Sequence, residues 1–300
     1  MRPGQAGGDA RGRRTRGARR TGRIGGPVQG DAHRGAGRPG LKIALGQLAS
    51  RPGDVGTNLK RAAGLVRDLK TDVLALPELF TCGYDPEGIA ANPAWSLSTQ
   101  DFGPLAEAAA EARTWVLAGA SVATEGKPRN AIVVLGPDGA VRGRYDKNHL
   151  WGREKQVFEA GSGLLMLDVG GVSIGLGVCY DAGFPELSRA YARAGAHAVL
   201  FCSAFATGPT EHRYRVYHPA RALENTVYTL VVNAVGELAG ERYFGESGAW
   251  SPAGQPLITA GRREGVSIVD ISAAEVARTR EHLTYLTDLS PGVDHVARVS

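Results

Sequence analysis

Of the three cysteines in the chain, Cys179 has the setting that best suits a nucleophile. It lies in Ile174-Gly175-Leu176-Gly177-Val178-Cys179-Tyr180-Asp181, directly after an apolar stretch that reads as a strand and just before a helix start at Pro185. A side chain at such a turn is presented at the carboxyl edge of a sheet, where following backbone N–H groups can face a reacting oxygen. Spacing alone also allows a buried structural cysteine. Cys82, in a turn with Gly83, and Cys202, closing an apolar strand, read as packing residues. An odd count with no CxxC pair and no Cys/His metal spacing argues against a disulfide framework and against structural zinc. It fits free thiols in a reducing cytoplasm.

A thiol with a pKa of about 8.5 is a weak nucleophile at neutral pH until a neighbour takes its proton. Histidine is the usual partner, and His149 offers a Cys-His scheme. Glu78 offers another. It follows an apolar strand and Pro77, so it stands at the same kind of strand edge as Cys179, where desolvation raises a carboxyl pKa toward neutrality. Lys147 follows a strand end in a chain with only six Lys against 29 Arg. It reads either as a solvated loop lysine or as fixed positive charge for a developing oxyanion.

The elements that must position these side chains alternate along the chain. The apolar run 41–48 reads as a buried strand, and Leu59, Ala62, Ala63, Val66 and Leu69 fall on one face of a helix over 58–69. Strand 72–76 ends at Pro77-Glu78. Helix 104–113 and strand 115–120 follow, then a hairpin of 131–135 with 140–145 across Pro137-Asp138-Gly139. Strand 172–178, helix 185–194, strand 198–202, helix 213–225 and strand 227–233 precede a second hairpin at Ser251-Pro252-Ala253-Gly254. Continuous apolar strands argue for burial on both faces and hence a layered α/β fold, with some antiparallel pairing at the hairpins. No GxxxxGK[ST] occurs, and Gly175 and Gly177 lie inside a strand rather than at a helix entrance, so a nucleotide phosphate site is not expected.

Three ordered blocks resemble the carbon-nitrogen hydrolases of the nitrilase superfamily. They are Leu76-Pro77-Glu78-Leu79-Phe80 with Gly83-Tyr84, Tyr145-Asp146-Lys147-Asn148-His149-Leu150, and Gly177-Val178-Cys179-Tyr180-Asp181 with Phe184-Pro185-Glu186. Supporting blocks are Arg153-Glu154-Lys155 leading to Phe158-Glu159-Ala160-Gly161, Arg221-Ala222-Leu223-Glu224-Asn225 with Val227-Tyr228, and Phe244-Gly245-Glu246-Ser247. Ala160-Gly161 departs from the more frequent Pro-Gly of the family, which touches the local loop shape only. The resemblance implies a four-layer αββα sandwich over residues 41–290. It implies Glu78 as general base and acid, Lys147 as the cation beside the oxyanion, Cys179 as nucleophile, and Glu154 as a second glutamate that orients substrate and Lys147. Substrate-binding expectations fall on Tyr84, Trp151, Tyr180, Asp181 and Phe205, with Phe80 and Phe184 as further pocket walls. No metal or organic cofactor is implied, and a homodimer or larger homo-oligomer is expected.

Cys179-Tyr180-Asp181 is more similar to the amidase and carbamoylase branches than to true nitrilases, where Trp commonly follows the cysteine. The expectation is therefore hydrolysis of a small aliphatic amide or N-carbamoyl substrate with release of ammonia. A nitrilase acting on C≡N and a non-catalytic interaction protein that keeps the fold are the alternatives.

Composition bounds these readings. A chain of 300 residues with 43% hydrophobic and 22% charged residues can bury a core and is not a disordered or fibrous sequence. No apolar run reaches the ~20 residues of a membrane span. The net charge of +5 is uneven: residues 1–40 carry ten Arg against Asp9 and Asp31, so residues 41–300 sum to −3. That first segment holds twelve Gly, no Leu and no aromatic. It predicts a disordered extension over 1–40, with no apolar segment behind its arginine pairs to make an export signal. Residues 291–300 read as a C-terminal tail. Nucleic acid is not expected as a partner of the mildly acidic body.

Overall fold

The computed structural model describes residues 40–290 and Arg298. The expected extension over 1–40 and tail over 291–300 therefore lie almost wholly outside the described residues. The chain begins with β1 (Leu41–Gln47), α1 (Val55–Asp68) and β2 (Val73–Ala75), then α2 (Pro86–Ala91), α3 (Gly103–Ala112) and β3 (Trp115–Val122). The hairpin β4 (Arg129–Leu135) and β5 (Val141–Asp146) follows, then the short α4 (Glu154–Val157), β6 (Met166–Val169) and β7 (Val172–Val178). A 3-10 turn, Cys179–Gly183, leads into α5 (Pro185–Arg193), β8 (Ala198–Ser203), α6 (His212–Asn225) and β9 (Tyr228–Asn233). The chain continues through β10 (Val235–Leu238), β11 (Glu241–Phe244), β12 (Gly248–Trp250), β13 (Pro256–Thr259), β14 (Gly265–Ile271) and α7 (Ala273–His282).

Two six-stranded sheets form, in the orders β14-β1-β2-β3-β4-β5 and β13-β12-β9-β8-β7-β6, with β10-β11 as a separate two-stranded ribbon. The pleat explains why they stack. Along β1, Leu41, Ile43 and Leu45 enter the core shared with Ile174, Leu176 and Leu200 of the second sheet, whereas Ala44 faces the other way. That other face packs Ala44, Val116 and Ala118 against Leu59, Ala62 and Val66 of α1 and Leu105 and Ala108 of α3. Leu187 and Tyr191 of α5 and Tyr214 and Ala222 of α6 cover the second sheet. The result is the expected αββα sandwich.

Local chemistry sets the element ends. Asp54 caps α1 by accepting from the Thr57 amide, and α1 starts three residues earlier than periodicity predicts because that cap sits before the apolar stripe. α5 opens on Pro185, whose missing N–H costs nothing at a helix start. Parallel β2 and the parallel trio β7, β8 and β9 send their carboxyl ends to the edges from which Glu78 and Cys179 emerge.

Candidate active site

Glu78 leaves β2 through Leu76-Pro77, and its backbone N–H donates to Ser203 O at the end of β8 (3.4 Å), so the edges of the two sheets are tied at this point. The approach depends on Gly119 of β3. A Cβ there would lie 1.9 Å from Pro77 O and 2.9 Å from Glu78 Cα. Lys147 follows β5 and is held on both sides by backbone bonds, its N–H to Asn130 O and its carbonyl from Gly161 N–H, each 2.8 Å. Gly161 is again a close approach, since a Cβ would come within 2.3 Å of Asp146 O. Cys179 follows β7 and opens the 3-10 turn at φ +44°, a left-handed conformation for a residue with a side chain. Strain of this kind costs about 1–3 kcal/mol and recurs at functional turns.

These side chains converge. Lys147 Nζ donates to Glu78 Oε1 (2.6 Å) and Glu154 Oε1 (2.7 Å), and all three side chains are fully buried. Asn130 Nδ2 donates to the same two oxygens, at 2.7 and 3.2 Å. Tyr84 OH donates to Glu154 Oε1 (2.6 Å), and Trp151 N–H to Glu154 Oε2 (2.8 Å). Among the described residues, Glu78 Oε2 is buried with no hydrogen-bond partner.

Electrostatics follow from this packing. Burial pushes Glu78 up to about 7, with Glu154 adding to the rise and Lys147 and Asn130 opposing it. Burial alone would depress Lys147, but Glu154 and Glu78 outweigh it and hold the ammonium charged. Burial also pushes the half-buried Cys179 thiol well above its ordinary value, Glu78 adds to the rise, and Lys147 counters it. The charges that act most on that thiol are those of Glu78, Lys147 and Glu154. The resting Cys179 is therefore a thiol, and Glu78 is a carboxyl group poised near neutrality. His149, the alternative base, spends its Nδ1 on Asp181 Oδ1 (2.8 Å) and stacks on Phe184.

The expected substrate wall divides. Tyr84 lines a small cavity with Glu78, Ser50, Ala234, Leu238 and Tyr243. Trp151, 43% exposed, meets Tyr180 in a tilted arrangement at 4.7 Å and carries the Arg213 guanidinium over its ring at 4.6 Å, so this pair forms a rim. Asp181 is not a wall residue. It is fully buried, and its two oxygens receive donors from Tyr145, His149 and Val178. Phe205 packs into the core against Tyr214 and His218, and Phe80 points to the helix-covered side of the first sheet. Asn130 and Tyr243 were not singled out by sequence. Asn130 could have been flagged as an amide beside the otherwise apolar run 131–135, whereas Tyr243 sits on a ribbon with no local periodicity. Among the described residues, no group of three His, Cys, Asp or Glu side chains is placed to hold a metal ion.

An αββα sandwich with a buried carboxylate–ammonium cluster and a half-buried cysteine after a strand end matches a class of layered hydrolases. The chain belongs to the carbon-nitrogen hydrolase family, whose family model matches residues 42–281. It is 33% identical over 255 residues to an (R)-stereoselective amidase of a Pseudomonas species, covering 83% of this chain and 91% of that one. An omega-amidase of Bos taurus is 29% identical, over 75% of this chain and 87% of its own. Among solved structures, an amidase of Nesterenkonia sp. AN1 has the acetamide moiety of fluoroacetamide attached covalently to its active-site cysteine. It superposes with a TM-score of 0.71 at 31% identity, over 83% of this chain and 94% of that chain. A superfamily member from Xanthomonas campestris with an arsenic adduct in its active site gives 0.77 at 28% identity, over 84% and 97%.

Proposed function

We propose that this protein hydrolyses small amides, aliphatic or N-carbamoyl, through a thioester on Cys179 and releases ammonia. The observation that carries this reading is the disposition of Glu78. One of its oxygens is fixed by Lys147 and Asn130, while the other is buried without a partner among the described residues.

The steps follow from those positions. Glu78 takes the thiol proton as Cys179 sulfur attacks the amide carbon, and the Lys147 ammonium faces the oxygen that becomes anionic. The tetrahedral species collapses as Glu78 returns the proton to the leaving nitrogen, and ammonia departs. Water then attacks the thioester with Glu78 again accepting a proton, which releases the carboxylic acid and restores the thiol. Glu154 shares Lys147 with Glu78 and so fixes the ammonium between them.

Three free cysteines support a reducing, cytoplasmic setting. Val216 and Leu223, seven residues apart on α6 and both exposed, support a homodimer through that face. The test is ammonia release from a panel of neutral aliphatic amides and N-carbamoyl amines, with intact-mass detection of an acyl adduct. Turnover and adduct are expected in the unaltered protein and absent in Cys179→Ala. No turnover across the panel, a nitrile hydrolysed faster than its amide, or full activity in Cys179→Ala overturns the reading.

A further inference from the structure

We infer that Asp181 and His149 form a clasp that sets the distance between Lys147 and Cys179, making both of them positioning residues for the reaction. The inference rests on the reading of Cys179 and Lys147 given above.

Asp181 has no exposed surface. Its Oδ1 receives the His149 backbone N–H (3.0 Å) and His149 Nδ1 (2.8 Å). Its Oδ2 receives Tyr145 OH (2.8 Å) and the Val178 N–H (2.9 Å). A carboxylate only accepts, so the His149 ring must carry its proton on Nδ1. Tyr145 and His149 stand two residues before and two after Lys147. Val178 and Asp181 stand one before and two after Cys179. One buried carboxylate therefore grips both catalytic segments, each on both sides, although they come from different sheets.

The grip acts where the backbone needs it. Cys179 is held at φ +44°, and the bond from Val178 N–H to Asp181 Oδ2 closes the turn across it. On the other arm, the His149 ring stacks on Phe184 of the same turn, with ring centres 3.6 Å apart and planes 10° apart. Phe184 in turn meets Tyr180 edge-on at 5.2 Å. Both oxygens of Asp181 are used in full, so an amide in its place could satisfy only one arm.

Two replacements of His149 separate the hydrogen bond from the packing. His149→Asn keeps a side-chain N–H near the Nδ1 position and loses the stack, whereas His149→Phe keeps the stack and loses the donor. The readouts are kcat and KM for an amide that the unaltered protein turns over, the rate of Cys179 alkylation by iodoacetamide, and the melting temperature. A clasp predicts His149→Phe to lose about 100-fold in kcat with KM within about threefold, and His149→Asn to stay within about tenfold of the unaltered protein. Alkylation slows in His149→Phe and not in His149→Asn. Equal impairment of both variants, or wild-type kcat in His149→Phe, overturns the clasp. If His149→Phe does not fold, Tyr145→Phe removes one hydroxyl from the same carboxylate, and unchanged kcat and alkylation there overturn it equally. Should the unaltered protein turn over no amide, the functional reading fails, and the alkylation rates still decide the clasp.

Discussion

Gly119→Ala tests how tightly the fold fixes the base. The added Cβ would stand 1.9 Å from Pro77 O, 2.8 Å from Pro77 C and 2.9 Å from Glu78 Cα, all backbone atoms that no rotamer change can move aside. Real Cβ contacts essentially never fall below 3.0 Å, so the Pro77-Glu78 segment has to retreat by about 1 Å, a misplacement that costs on the order of 100-fold in rate. Glu78 has little freedom to compensate, because its backbone is bonded to Ser203 O and its Oε1 to Lys147 and Asn130. Overpacking of this kind also destabilises by about 1–3 kcal/mol, which at about 2–4 °C per kcal/mol for a domain of this size lowers the melting temperature by several degrees. The assay is ammonia release at saturating amide, with the melting curve taken on the same preparation. A kcat drop far larger than the unfolded fraction explains is the expected result. Wild-type kcat and melting temperature together would show that the β3 approach does not position Glu78 and would refute the reasoning.

Three further outcomes follow from the site. Glu78 must be ionised to accept the thiol proton, and its raised value near 7 means that activity climbs as pH rises through neutrality and is lost below it. Glu78→Gln is expected to lose about 10²–10⁴ in kcat together with that acid limb, and a pH–rate profile that keeps the limb in this variant contradicts the assignment. Lys147→Ala removes the cation, with a loss of about 10²–10³ in kcat. It also leaves Glu78 and Glu154 buried without their partner, so its melting temperature falls at pH 8 and recovers part of the loss as acid protonates them, and a pH-independent deficit would count against the charge argument. Thiol titration of the native protein is expected to label the half-buried Cys179 ahead of Cys82 and Cys202, which are fully buried; labelling of all three at one rate before unfolding contradicts the packing.

Much of this was legible in the sequence because two signals are local. Apolar runs such as β7 and β8 are buried on both faces, and the stripe of α1 has a single face to bury, so their positions follow from side-chain type alone. Glu78, Lys147 and Cys179 stand out because each follows a strand end. What stayed hidden depends on long-range pairing. β14 joins the first sheet only by lying antiparallel to β1, more than two hundred residues away, and nothing in its own residues names that partner. The β10-β11 ribbon has four residues per strand, too few for a period, yet it brings Tyr243 and Leu238 to the cavity. Asp181 was misplaced at the substrate wall because an acid beside a nucleophile can face a ligand or staple a turn, and only its four donors distinguish the two. Phe80 and Phe205 failed as pocket walls for a related reason: adjacency to a catalytic block does not say to which side of a sheet a ring turns.

The site also explains why two glutamates accompany one lysine. A buried ammonium with a single carboxylate would form a neutral pair in which the acid keeps a low pKa and has little tendency to take a proton. Here Glu154 receives four donors, from Lys147, Asn130, Tyr84 and the Trp151 amide. Glu78 is left with the same ammonium already shared, one amide, and a second oxygen that no group among the described residues satisfies. Burial, with fewer donors to offset it, drives Glu78 toward neutrality, where the proposed mechanism has it accept and return a proton within one turnover. A second glutamate thus adds to the burial that raises Glu78, and so offsets the ammonium that would otherwise hold it as half of a salt bridge.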